Sequence, residues 1–226
     1  MSYIELNVDN FFKLRWLEKY LKGHNGYICG GCFKNALTDT KVKDIDIFFQ
    51  TEEDWHAACK YFEARCTNCG NVECFDEMIE VVLESEKIYV FKYENSKVKA
   101  FTDKTTGITV ELCRAVFGDV KDILNEFDFT VTKFAYYKEL VEDDEKGQHW
   151  EYKMICIDTF FEHLFMKRLV LDNKIKFPVS TFERSLRYTR YGYGLCRESK
   201  MKLIKELRNL PEDAELSNNS LYDGMD

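Results

Sequence analysis

Proline is nearly missing from this chain, with two in 226 residues. Low-complexity runs are missing as well, which argues against extensive disorder. No apolar stretch approaches the roughly 18–20 residues that a membrane span needs, so no membrane partner is expected. The opening MSYIELNVDN has neither a basic n-region nor an apolar h-region. A secretory leader is therefore not expected, and the expected location is cytoplasmic. A net positive charge is also lacking: the total is −8, which speaks against readout of duplex DNA.

What is present is enough for a core, at 45% hydrophobic and 15% aromatic. Nine cysteines without a leader read as reduced thiols. The stretch CTNCGNVEC brings Cys66, Cys69 and Cys74 together, with His56 and Cys59 upstream, as a zinc knuckle would. A second CxxC pair at zinc-finger spacing is missing, so a helix end and a turn is the reading preferred. The charge is unevenly spread. Residues 163–208 carry a surplus of +8, leaving −16 for the rest. A basic C-terminal part facing an acidic N-terminal part suits a polyanion held between them, or is an ordinary basic helix surface.

Along the chain, NVDNFFKLRWLEKYLKG predicts an amphipathic helix stopped by Gly23. GYICGG, CFKNAL and KVKDIDIFFQ predict strand, glycine corner, short helix and strand, and TEEDWHAACKYFEARC a helix capped by Thr51. EMIEVVLES, IYVFKYE, KVKAFT and GITVELCRAVF read as strands. DTFFEHLFMKRLVLDN, PVSTFERSLRYTRYGYGL and RESKMKLIKELRNL read as three helices, the second opened by Pro178. The expected fold is α+β, a mixed sheet flanked by helices and followed by a small helical domain. Residues 1–125 form the catalytic head, 126–210 the helical part, and 211–226 an acidic loose tail.

In KVKDIDIFF, Asp44 and Asp46 share one strand face while apolar residues fill the other. Adjacent carboxylates repel unless a cation lies between them, and an oxygen-only donor set suits Mg²⁺ or Mn²⁺. Glu111 in ITVELCR alternates against Val110 and Leu112. If its strand neighbours the first, Asp44, Asp46 and Glu111 converge. Such a set holds two ions roughly 4 Å apart for phosphoryl transfer. Gly30 and Gly31 allow close backbone approach before a helix N-terminus, and Lys34 lies one turn on, so a triphosphate fits there. Singly, each item also reads as a solvated edge, a turn or a surface acid.

The order Gly-Gly, helix, Asp-x-Asp resembles the signature of the DNA polymerase beta superfamily of nucleotidyltransferases. The stretch is most similar to the head of the tRNA nucleotidyltransferase and poly(A) polymerase family. Lys34 and Asn35 stand where that family has Arg and Asp. ELCR matches a Glu-to-Arg strand at Glu111 and Arg114. FDFTVT resembles an Arg-Asp-Phe-Thr-Ile-Asn segment at Asp128, Phe129 and Thr130, and ERSLRYTRYGY an Arg-x-x-Arg-Phe helix at Arg184, Arg187 and Tyr188. The resemblance implies transfer of a nucleoside monophosphate from an NTP to an acceptor hydroxyl, with release of pyrophosphate. It implies Asp44, Asp46 and Glu111 as metal ligands, and Gly30, Gly31, Lys34, Arg114, Asp128, Arg184 and Arg187 as nucleotide-binding. An RNA 3′ end is the expected acceptor, stacked by Tyr188, Tyr191 and Tyr193. A protein hydroxyl, a small molecule or a second nucleotide are alternatives. No Glu-Asp-x-x-Arg helix follows residue 194, and the family continues into tRNA-gripping domains, so CCA addition to whole tRNA is not expected. The competing reading is a nucleotide-binding or regulatory protein on the same fold with catalysis lost.

Overall fold

The computed structural model describes residues 2–69, 86–143, 147–171 and 175–211. Its centre is the strand Asp44–Phe49 (β3), where alternation sends Ile45, Ile47 and Phe49 to one face and Asp44, Asp46 and Phe48 to the other. On one side β3 pairs antiparallel with Tyr27–Cys29 (β2), on the other parallel with Thr109–Phe117 (β6). Tyr3–Leu6 (β1), Tyr89–Glu94 (β4), Val98–Asp103 (β5), Phe134–Asp143 (β7) and Gly147–Ile157 (β8) complete one eight-stranded mixed sheet in the order β1-β8-β7-β2-β3-β6-β5-β4. The strands expected at 89–94, 98–103 and 109–117 are thus present. EMIEVVLES, Cys74 and the acidic tail from residue 212 lie outside the described residues. Residues 134–143 and 147–157, assigned from sequence to the helical part, are strands of this sheet, because β7 pairs with β2 and β8 with β1.

The two sheet faces are covered unequally. Glu52–Ala64 (α2), capped by the Thr51 hydroxyl accepting from the Asp54 N–H, packs Trp55, Ala58, Cys59 and Phe62 on the Ile45–Ile47–Phe49 face. Residues 8–21 pack on the same face as a 3₁₀ helix rather than the expected α-helix, with a kink at Phe11. Leu14, Leu17 and Tyr20 are buried, a spacing of three that a 3₁₀ turn stacks on one side. Gly23 ends the helix at φ +75, and a Cβ there would lie 1.9 Å from the Tyr61 ring. The opposite face has a smaller core, in which Phe48, Cys29, Cys113, Ala135 and Ile155 meet Ile123, Leu124 and Phe127 from Val120–Glu126 (α3) and its C-terminal end. This cover includes Phe48 but neither aspartate of β3.

The C-terminal part contains Phe160–Phe165 (α4), Pro178–Arg190 (α5) and Arg197–Arg208 (α6). The helix expected from residue 158 stops after one and a half turns. Lys167 takes φ +53, and Arg168–Leu169 (β9) pair in parallel with Gly194–Leu195 (β10). The Thr130 N–H takes the Val170 carbonyl, so this segment is bound to the Thr130–Thr132 turn instead of to a continuing helix.

Candidate nucleotide and metal site

β2 runs into Gly30, whose φ of +94 is open to glycine and strained for other residues. Its N–H donates to the Phe134 carbonyl, which fixes the corner on the sheet. Gly31 caps Cys32–Leu37 (α1), and the helix returns the chain to β3. A cavity of about 380 Å³ forms where this corner faces α5 and the turn at residues 191–193 that follows it. Gly31, Lys34, Asp44 and Asp46 line one side, and Lys167, Arg187, Tyr188, Tyr191 and Tyr193 the other, with Lys41 and Lys43 completing the rim. The aspartates thus meet a wall drawn partly from the basic C-terminal stretch, in a cleft where opposed charges act at short range. A Cβ on Gly31 would be 3.5 Å from the Tyr188 hydroxyl, an ordinary contact.

Asp44 is exposed and Asp46 partly so. The parallel register sets Glu111 directly across from Asp46, on the same face. Glu111 does not line the cavity, and its Oε1 accepts from the Tyr93 hydroxyl at 2.7 Å. Among the described residues no three His, Cys, Asp or Glu side chains stand close enough to hold one metal. The donors of Asp44 and Asp46, oxygen only and beside a cationic wall, fit a hard divalent cation, which these two residues would hold. The acids act on their surroundings. Burial raises the thiols of Cys29, Cys32 and Cys113 well above the ordinary range, and the charge of Asp46 adds to the rise in all three. Burial, with the Glu111 bond and charge, likewise raises the Tyr93 phenol.

The remaining sequence candidates divide. Lys34 is buried at the cavity wall; its ammonium donates to Asn35 Oδ1 at 2.7 Å and lies 4.7 Å from the Tyr191 ring centre and 5.4 Å from that of Tyr188. Arg187 is exposed on the opposite wall. Arg114 is elsewhere: it donates to the Ser96 and Asn95 carbonyls and stacks on Trp55. Asp128 and Arg184 form a buried ion pair, and the Thr181 hydroxyl also donates to Asp128 Oδ2. Neither lines the cavity. Cys66 donates to Asn68 Oδ1 and accepts from the Phe91 N–H, and burial lifts the Cys69 thiol to about 12. Cys66 is thus engaged by neighbouring protein groups at the end of α2, the helix end that the sequence suggests. Lys41, Lys43 and Lys167 were not singled out from the sequence. The first two flank Asp44-Ile45-Asp46 and were visible as a basic run, whereas Lys167 enters through its left-handed backbone, which no local pattern announces.

The model of a family described as "Gad2: Gabija anti-defense 2 family protein" matches residues 4–167. A CCA-adding enzyme in complex with CTP is 14% identical, with a TM-score of 0.57, over 92% of this chain and 47% of that one. A Thermotoga maritima CCA-adding enzyme complexed with tRNA gives 14% and 0.53 over 92% and 46%. A tRNA nucleotidyltransferase with a primer tRNA and an incoming ATP analogue gives 16% and 0.50 over 87% and 50%. The chain therefore spans about half the length of these enzymes, and what it shares with them is the nucleotidyltransferase fold. No curated protein matches it.

Proposed function

The chain belongs to the Gabija anti-defense 2 family, and from that premise we propose that it counters a defence through a metal-dependent nucleotidyltransferase site at Asp44 and Asp46. The observation that carries this reading is one cavity lined by both aspartates, the Gly31 corner and five basic side chains. An NTP binds with its phosphates at Gly30-Gly31, against Lys34, Lys167 and Arg187. Asp44 and Asp46 hold Mg²⁺ or Mn²⁺, which supplies charge neutralisation at the phosphates when bound. An acceptor hydroxyl attacks the α-phosphorus, the bond to the bridging oxygen breaks, and pyrophosphate leaves. The hydroxyl proton passes to a carboxylate of the acid face. Lys34, already desolvated between two tyrosine rings, offers its charge to the departing phosphates at little reorganisation cost. An RNA 3′ end remains the acceptor proposed.

A second reading, nucleotide binding without transfer, is favoured by the bond from Tyr93 to Glu111 and by the missing three-acid grouping among the described residues. Incubation with each α-labelled NTP, Mg²⁺ and RNA or protein separates the two. Label should move to an acceptor in the native protein and fall at least a hundredfold in Asp44→Asn/Asp46→Asn. NTP binding by calorimetry with no transfer to any acceptor would establish the second reading.

A further inference from the structure

Thr40 and Lys41 are shared walls. They line the acid cavity and also a second cavity of about 490 Å³, bounded further by Lys13, Trp16, Asp39 and Thr106. The two spaces adjoin across the connection from α1 to β3. Trp16 is 37% exposed, although it is the largest side-chain type the chain owns. Its indole is held edge-on against Tyr20, with ring centres 6.0 Å apart and planes at 89°, so its orientation is set before any ligand arrives. Lys43 and Lys41 border the acids and Lys13 the indole, with Lys13 held by Asp39 at 3.0 Å. Three cations against one carboxylate lead from the acid pair to an oriented aromatic ring. That combination of spaced positive charge and a flat stacking platform is what single-stranded nucleic acid uses.

We propose that this second cavity is the acceptor-strand subsite, where a single-stranded polynucleotide stacks a base on Trp16 and crosses Lys41 with its 3′ end towards Asp44 and Asp46. The proposal rests on the reading of the acid cavity given above. It puts the acceptor beside the 3₁₀ helix rather than on the basic helices α5 and α6.

The test uses the full chain without NTP and a fluorescein-labelled oligouridylate, read by anisotropy. Trp16→Ala should weaken binding about tenfold, the loss of one base-stacking contact. Trp16→Phe should stay within about threefold, and Lys13→Ala should lower the salt slope by about one. Calorimetric NTP binding should be unchanged in Trp16→Ala. The proposal is overturned if Trp16→Ala binds like the native protein. Equal losses in the Ala and Phe variants overturn it too, since they would report packing on Tyr20. So does a loss confined to Arg190→Glu/Lys205→Glu, or one that affects only protein acceptors. Absent NTP binding with Trp16-dependent oligonucleotide binding would instead sink the reading of the acid cavity and leave the groove standing.

Discussion

Asp128 and Arg184 show how one residue can carry a family likeness and a structural task together. Their charges are paired inside the protein, with Thr181 as a further donor. Removing one partner strands the other charge in a low-dielectric site. Arg184→Ala should therefore cost about 3–5 kcal/mol in urea unfolding, whereas Arg187→Ala, on the exposed cavity wall, should chiefly weaken NTP binding. Gly30 makes a similar point through the backbone. With φ at +94, Gly30→Ala should destabilise by about 1–3 kcal/mol and displace the start of α1, visible as a fall in both melting temperature and NTP affinity.

Among the elements, the parallel pair β3–β6 decides where the acids stand. It sets Asp46 against Glu111 and leaves Tyr93 of β4 competing for the same carboxylate. Tyr93→Phe should release Glu111 and lower, several-fold, the Mg²⁺ concentration that half-stabilises the protein in a thermal-shift titration. Asp44→Asn/Asp46→Asn should melt at or above the native temperature without divalent ions, since like charges on one face repel. It should then gain nothing from added Mg²⁺, while the native protein gains about 1 kcal/mol at ion concentrations several times its dissociation constant.

The stability of the whole molecule carries a pH signature set by groups that do not line the acid cavity. His24 is buried among Phe49, Tyr61 and Phe62; it bonds the Tyr20 carbonyl and accepts from the Gly26 N–H, so it is neutral. Burial lowers its pKa to about 4, with the Tyr20 bond opposing and Lys138 assisting. The unfolded chain therefore binds more protons between about pH 6.5 and 4, and stability falls as pH falls through that window, by on the order of 3 kcal/mol. Asp103 adds to the loss below it. Burial raises its carboxyl, but bonds from Lys19, Thr105 and Tyr20 outweigh this and hold it below the usual range. Its contribution is complete above about pH 4 and is lost as the carboxyl protonates. Urea midpoints at pH 7.5, 5.5 and 4.5 should decrease in that order, and His24→Gln should flatten the slope above pH 4.5.

By itself the sequence determined the unit from Tyr27 to Phe49, because strand alternation, a glycine corner and a short helix are local properties that residues within a few positions dictate. The same holds for α2, α5 with its leading Pro178, and the two aspartates on one face. It did not determine that β7 and β8 extend the sheet on its other side, since pairing between strands remote in sequence leaves no local trace. Nor did it reveal the 3₁₀ winding of residues 8–21, where packing on the sheet overrides an amphipathic pattern. The cavity belongs wholly to the tertiary structure. Lys167, Arg187 and the tyrosines reach Asp44 and Asp46 only because the β9–β10 clip and α5 bring the C-terminal part back against α1. Arg114 and Asp128 were drawn from motif likeness and turn away from it, because a motif gives an order along the chain whereas the packed neighbours decide which way a side chain faces.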